Sequence, residues 1–166
     1  MTRLAILADT HVPSREPAVP AWVETAVEAA DHTIHAGDFD AKPVYESLVD
    51  LAGGNLTAVH GNLDPADLEL PHVATVALDG VTFVVTHGTG PRDGYEERIV
   101  EAVRGETTDP DAVGVGGHTH EVLDAEVDGT RILNPGSATG AEPASEPTML
   151  VADVTDGDLS VEVRRE

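Results

Sequence analysis

Apolar residues fall into short runs, each closed by a polar or glycine-containing segment, and the spacing inside the runs alternates between strand-like and helix-like. Residues 4–8 (Leu-Ala-Ile-Leu-Ala) are continuously apolar, as in a strand buried on both faces, and Pro13, Pro17 and Pro20 mark the loop behind it. Across residues 21–30, Trp22, Val23, Ala26, Val27 and Ala30 recur at helical spacing. Residues 32–36 predict a second strand. Pro43 suits the first turn of a helix that runs through Ala52 and is ended by Gly53-Gly54, and residues 56–59 predict a third strand. This βαβαβ order predicts a parallel sheet whose functional residues collect beyond the carboxyl ends of its strands.

The second half is richer in strand. Residues 73–78 and 81–85 flank Asp79-Gly80, residues 122–127 and 131–133 flank Asp128-Gly129, and residues 148–154 and 159–163 flank Asp156-Gly157. Asp-Gly between apolar runs is a strong short-range hairpin signal, because both central residues of the tight turn need positive φ. Residues 95–104 predict a helix with Ile99, Val100 and Val103 on one face, and residues 112–115 a strand. No repeat, low-complexity tract or linker divides the chain. The expectation is one α/β domain over residues 1–166, with residues 140–147 an irregular loop.

Charge changes the picture. The chain has 31 acidic residues against 9 basic ones, a formal −22, with Lys42 the only lysine. Self-repulsion on this scale opposes compaction at low salt, whereas in molar salt the Debye length falls to about 3 Å. The composition therefore reads as adaptation to a high-salt interior. It also argues against nucleic-acid or anionic-membrane partners, since no basic stripe exists to displace counterions. Without cysteine there are no disulfides and no thiolate metal sites. The first residues lack a basic leader and cleavage signal, and no apolar run approaches the roughly 20 residues of a membrane span, so a cytoplasmic location is expected.

Candidate chemistry sits in five short islands: Asp9-x-His11, Gly37-Asp38, Gly61-Asn62, His87-Gly88 and Gly117-His118-Thr119-His120. Alone, Asp9 would pass for a cap and Gly61-Asn62 for a turn. In His118-x-His120, alternation puts both imidazoles on one side of an extended segment. Together the islands supply two Asp, one Asn and four His, the set needed to hold two divalent cations about 3.5–4 Å apart over a phosphate ester. His35, inside the second strand, is expected to pack behind the ligands, and His32 and His72 to be structural. Asn134-Pro135-Gly136-Ser137 is expected to be a turn that shapes the site.

These motifs resemble the calcineurin-like metallophosphoesterase superfamily, and within it the small single-domain phosphodiesterases of archaea and bacteria. The resemblance extends from Leu4-Ala5-Ile6-Leu7-Ala8-Asp9-Thr10-His11 to Asn134-Pro135-Gly136-Ser137. It implies a four-layer αββα sandwich, with two mixed sheets face to face and helices outside. It also implies that Asp9, His11 and His120 bind one metal ion, that Asn62, His87 and His118 bind the other, and that Asp38 bridges them. Asp38, Asn62 and His87 would then be the catalytic set around a metal-bridging hydroxide that attacks phosphorus. Manganese is the first expectation for the two divalent ions, with Ni, Co, Fe or Zn as alternatives. Two such ions against two carboxylates and one hydroxide leave about +1, enough to draw a phosphate anion inward locally.

Two positions depart from the family pattern. Many members carry histidine after the Asn, thought to protonate the leaving oxygen, where this chain has Leu63; relatives also often follow His-Gly with histidine, where this chain has Thr89. Loss of a general acid typically costs about 10²–10⁴-fold, most for poor leaving groups. His60 is a weak substitute. The leading expectation is hydrolysis of small phosphodiesters. A small-metabolite phosphomonoesterase is the alternative, although Arg15 and Arg92 are the only basic residues near the ligand blocks. A noncatalytic interaction module, as in the retromer subunit of this fold, is the alternative of another class. A homodimer is a further expectation from the resemblance.

Overall fold

Each predicted apolar run forms a strand and each three-and-four pattern a helix in the computed structural model, which describes residues 1–166. The first half comprises β1 (Thr2–Leu7), α1 (Ala21–Ala29), β2 (His32–His35), α2 (Lys42–Leu51) and β3 (Leu56–Ala58). The second comprises β4 (Val73–Leu78), β5 (Val81–Thr86), α3 (Tyr95–Glu106), β6 (Val113–Val115), β7 (Val122–Val127), β8 (Thr130–Pro135), β9 (Met149–Thr155) and β10 (Asp158–Arg164).

β1, β2 and β3 pair in parallel, with Leu4 opposite His32 and Thr33 opposite Leu56. The other edge of β1 is taken by β9, antiparallel, and β10 completes the five-stranded order β10-β9-β1-β2-β3. The second sheet has the order β4-β5-β6-β8-β7, parallel at its centre and antiparallel at its edges. Both sheets are therefore mixed. The continuous apolar run of β1 has a simple cause, since one face meets the other sheet and the other meets a helix. Leu4, Ile6 and Ala8 join Phe83, Val85, Val113, Val115 and Leu133 in a core between the sheets, while Ala5 and Leu7 pack with Val23 and Val27 of α1. Phe39, Leu48 and Ala58 bury the inner side of α2, and Tyr95, Ile99, Val100 and Val103 bury that of α3. The layers are helix, sheet, sheet, helix.

The three Asp-Gly pairs form the expected tight turns. Their central φ values are +48° and +91° at Asp79-Gly80, +50° and +81° at Asp128-Gly129, and +48° and +88° at Asp156-Gly157. One expectation is corrected. Asn134 and Pro135 are not in a turn but are the last rungs of β8, opposite Leu123 and Val122, and the chain turns only at Gly136. β7, six residues long like β8, offers those rungs, and a terminal rung tolerates proline.

Candidate metal centre

Five strands that run the same way end at one edge of the sandwich. β1 leads to Asp9 and His11, β2 to Asp38, β3 to Asn62, β5 to His87, and β6 to His118 and His120. The chain must turn abruptly at these ends, and five of the seven predicted ligands take left-handed backbone: Asp9 (φ +53°), His11 (+46°), Asp38 (+66°), His118 (+72°) and His120 (+62°). Each such residue costs about 1 kcal/mol or more against ordinary backbone, and strain of this kind clusters at functional sites. The loops brace one another. Asp9 N–H donates to the Gly37 carbonyl at 3.0 Å and His11 N–H to the Asp38 carbonyl at 3.1 Å. Gly37 must be glycine twice over, because its φ is +101° and a Cβ would lie 2.9 Å from both the Gly61 backbone and His87 Nδ1.

The side chains converge in a specific way. His11 Nδ1 donates to Asp40 Oδ1 at 2.9 Å, His87 Nδ1 to the Ala36 carbonyl at 2.6 Å, and His120 Nδ1 to the Ala141 carbonyl at 2.8 Å. With Nδ1 committed, the neutral form of each ring presents its lone pair on Nε2. All three Nε2 atoms lie 3.6–3.8 Å from Asp9 Oδ1, and those of His11 and His120 are 3.2 Å apart. Asp38 Oδ2 is 3.1 Å from His87 Nε2 and 3.6 Å from His11 Nε2. Two groups of ligand atoms are thus close enough to hold an ion: Asp9, His11 and His120, and Asp9, Asp38 and His87. Asp9 belongs to both. His118 stands edge-on to His87, ring centroids 5.2 Å apart, and Asn62 is exposed at the rim.

Buried polar atoms without partners mark what this arrangement lacks. Both carboxylate oxygens of Asp9, wholly buried, and Nε2 of His87 have no hydrogen bond. A buried carboxylate left so would cost several kcal/mol, and a cation drawn to oxygen and imidazole resolves all three atoms at once. The donor set fits divalent metal. In the protein alone, protons play part of that role. Burial opposes charging His87, but the Asp38 carboxylate 3.1 Å from Nε2, the charge of Asp9 and the Ala36 carbonyl raise its pKa to about 9. His11 is likewise raised against its burial, by Asp9, Asp40 and Asp38. Asp38 is lowered: burial opposes ionisation, but His87, the Leu63 N–H and His11 outweigh it.

Behind this layer lie residues of unequal legibility. His35 packs as expected. Burial and the neighbouring His87 charge lower its pKa to about 3, so it is neutral, accepting from Gly37 N–H at 3.1 Å and donating to Thr10 Oγ1 at 2.7 Å while stacked on Phe39. Asp40 and Asp64 were not anticipated. Asp40 orients His11 and also accepts from Ser14 Oγ. Asp64 is buried and accepts four backbone N–H bonds, from Phe39 (2.7 Å) and Asp40 (3.0 Å) on Oδ1 and from Asp38 (2.9 Å) and Gly61 (2.8 Å) on Oδ2. It ties the loop of Asp38 to the loop of Asn62. Its place two residues beyond Asn62 was the available signal, but a carboxylate in a turn reads as solvated. His60 donates to the Pro65 carbonyl at 3.1 Å, stacked edgewise on His72. Leu63 is about half exposed, and its N–H donates to Asp38 Oδ1 at 2.9 Å. The basic residues also need correction. Arg15 donates to the Glu142 carbonyl, Arg92 pairs with Glu121, and the unforeseen Arg98 of α3 reaches the Gly88 carbonyl beside His87.

Comparisons with known proteins bear on the family and the fold. The profile of the calcineurin-like phosphoesterase superfamily domain matches residues 2–157. A phosphodiesterase of Methanocaldococcus jannaschii is 28% identical over 154 residues, covering 83% of this chain and 85% of the relative. A Thermotoga maritima protein solved by solution NMR superposes with a TM-score of 0.78 at 28% identity, covering 100% of both chains. Vps29 of Chaetomium thermophilum shares the fold at a TM-score of 0.79 and 19% identity, covering 99% of this chain and 96% of that one.

Proposed function

The chain belongs to the calcineurin-like phosphoesterase superfamily, and from that premise we propose that it hydrolyses small phosphodiesters with the help of two divalent ions, manganese foremost. The observation that carries this reading is the convergence of three Nδ1-anchored imidazoles and the Asp38 carboxylate on the unpartnered, buried Asp9. Asp9, His11 and His120 would hold one ion, Asn62, His87 and His118 the other, and Asp38 would be shared. Bound there, the ions supply an acidified water and neutralise charge developing on phosphate oxygens. The protein's own part is to fix the ligand tautomers through Asp40, Ala36 and Ala141, and to place Asn62 and Leu63 at the rim.

The diester preference rests on what surrounds the ligands. A phosphomonoester dianion calls for extra cationic groups, and both Arg15 and Arg92 are engaged elsewhere. Leu63, beside Asn62, offers no proton to a leaving group, which suits diesters with acidic leaving groups. The test is an assay of metal-stripped protein in molar KCl against a panel of diesters and monoesters, with Mn, Ni, Co, Zn and Mg added singly. Metal-dependent turnover favouring diesters is expected. Faster monoester turnover would replace the substrate class. Two bound ions with no turnover of any ester would overturn the enzyme reading in favour of a binding module.

A further inference from the structure

Arg98, like Arg15 and Arg104, pairs with no carboxylate in a chain with 31 acidic residues, and it alone of the three serves several carbonyls. It donates instead to carbonyls of one segment: Nη2 to Gly88 (3.0 Å) and Pro91 (2.7 Å), and Nη1 to Asp93 (3.4 Å). No backbone N–H fills these carbonyls, so the segment between β5 and α3 has no ladder of its own and takes its shape from this side chain. The contact is close. Gly90 has φ +139°, a Cβ there would lie 2.9 Å from Arg98 Cζ, and that Cζ lies over the Tyr95 ring, 5.9 Å from its centroid. The carbonyl of that same Gly90 meets His118 Nε2 at 3.0 Å.

This bond sets His118 apart from the other three imidazoles. They spend Nδ1 on an oxygen and present Nε2, whereas His118 spends Nε2 and presents Nδ1. We propose that Arg98 is a positioning residue for His118: by shaping the segment after His87, it holds the Gly90 carbonyl against Nε2 and keeps the Nδ1 lone pair available to a cation. The metal part of this inference rests on the two-ion reading above. A carbonyl held in place fixes both the tautomer and the angle of the ring, and removing such a support typically costs about 10–100-fold in metal affinity.

The test is Arg98→Met, which keeps the stem and removes the donors. In chelated protein at alkaline pH, ¹⁵N imidazole spectra of the wild type should show His118 as the Nε2–H tautomer, and Arg98→Met should show a mixture. In zinc titration calorimetry one of two ions should weaken about 10–100-fold while the other is unchanged. Adding Arg98→Met to His118→Ala should cause no further loss, since the two act on one ligand. If Arg98→Met does not fold, Arg98→Lys, a cation with fewer donors, should give the intermediate tautomer ratio. An unaltered His118 tautomer overturns the proposal, as does equal weakening of both ions with a lower melting temperature in chelated protein. A wild type that takes a single ion overturns the two-ion reading, and the tautomer, which needs no metal, then decides the role of Arg98 by itself.

Discussion

Asp64→Asn tests whether the two ligand loops are held together by one carboxylate. The change is nearly isosteric, but it replaces one of two acceptor oxygens by an NH₂ group. Each Asp64 oxygen serves two backbone donors, so one pair must lose its acceptor and face another donor. Placing the NH₂ at the Oδ2 side would strand the buried N–H groups of Asp38 and Gly61. At the Oδ1 side it strands Phe39, buried, and Asp40, which is part-buried and within reach of water. The second orientation is cheaper. A buried donor without a partner costs about 1–3 kcal/mol, and a wetted one less, so the variant should lose about 2–4 kcal/mol. For a chain of this size that corresponds to roughly 5–15 °C in melting temperature. Circular-dichroism melts of chelated protein in high salt measure the loss, and metal analysis after dialysis should show weakened retention, since Asp38 and Asn62 sit on the released loops. A melting temperature within about 2 °C of wild type would refute the clamp.

Other outcomes follow from the same site. Asp38→Ala should remove both ions; a variant that still retains two tightly bound ions after dialysis means the shared-ligand role is wrong. Because the folded pKa of His87 is raised to about 9 from 6.5, its contribution in chelated protein is complete below about pH 6.5 and is lost as pH rises through about 9. Urea midpoints should fall over that window in chelated protein and not in the metal-loaded form, where an ion replaces the proton; identical pH profiles would sink this account. With a net −22, the melting temperature should climb with KCl up to molar concentrations, and a flat response would defeat the high-salt reading. Leu63→His should raise turnover of alkyl diesters more than of nitrophenyl diesters, because only the poorer leaving group needs a proton; equal gains on both would exclude that cause.

The local elements were legible because their causes are local. An unbroken apolar run meant a doubly covered strand at β1, three-and-four spacing meant α1 and α3, and Asp-Gly meant a turn with two positive φ values. The ligand islands were legible too, since an Asp, Asn or His just past an apolar run, beside glycine at Asp38, Asn62, His87 and His118, carries its chemistry in its own composition. Tertiary packing decided the rest. Nothing local shows that β9 crosses the chain to pair with β1, or that β8 keeps Asn134 and Pro135, because pairing depends on a partner distant in sequence. Nor does it show that Asp64 gathers four N–H groups from two loops or that Arg98 serves carbonyls rather than acids. A residue's chemical capacity is written in its side chain. Its hydrogen-bond partners, burial and tautomer exist only when remote segments close around it, and these decide whether a carboxylate is solvated, holds a loop, or faces three imidazoles.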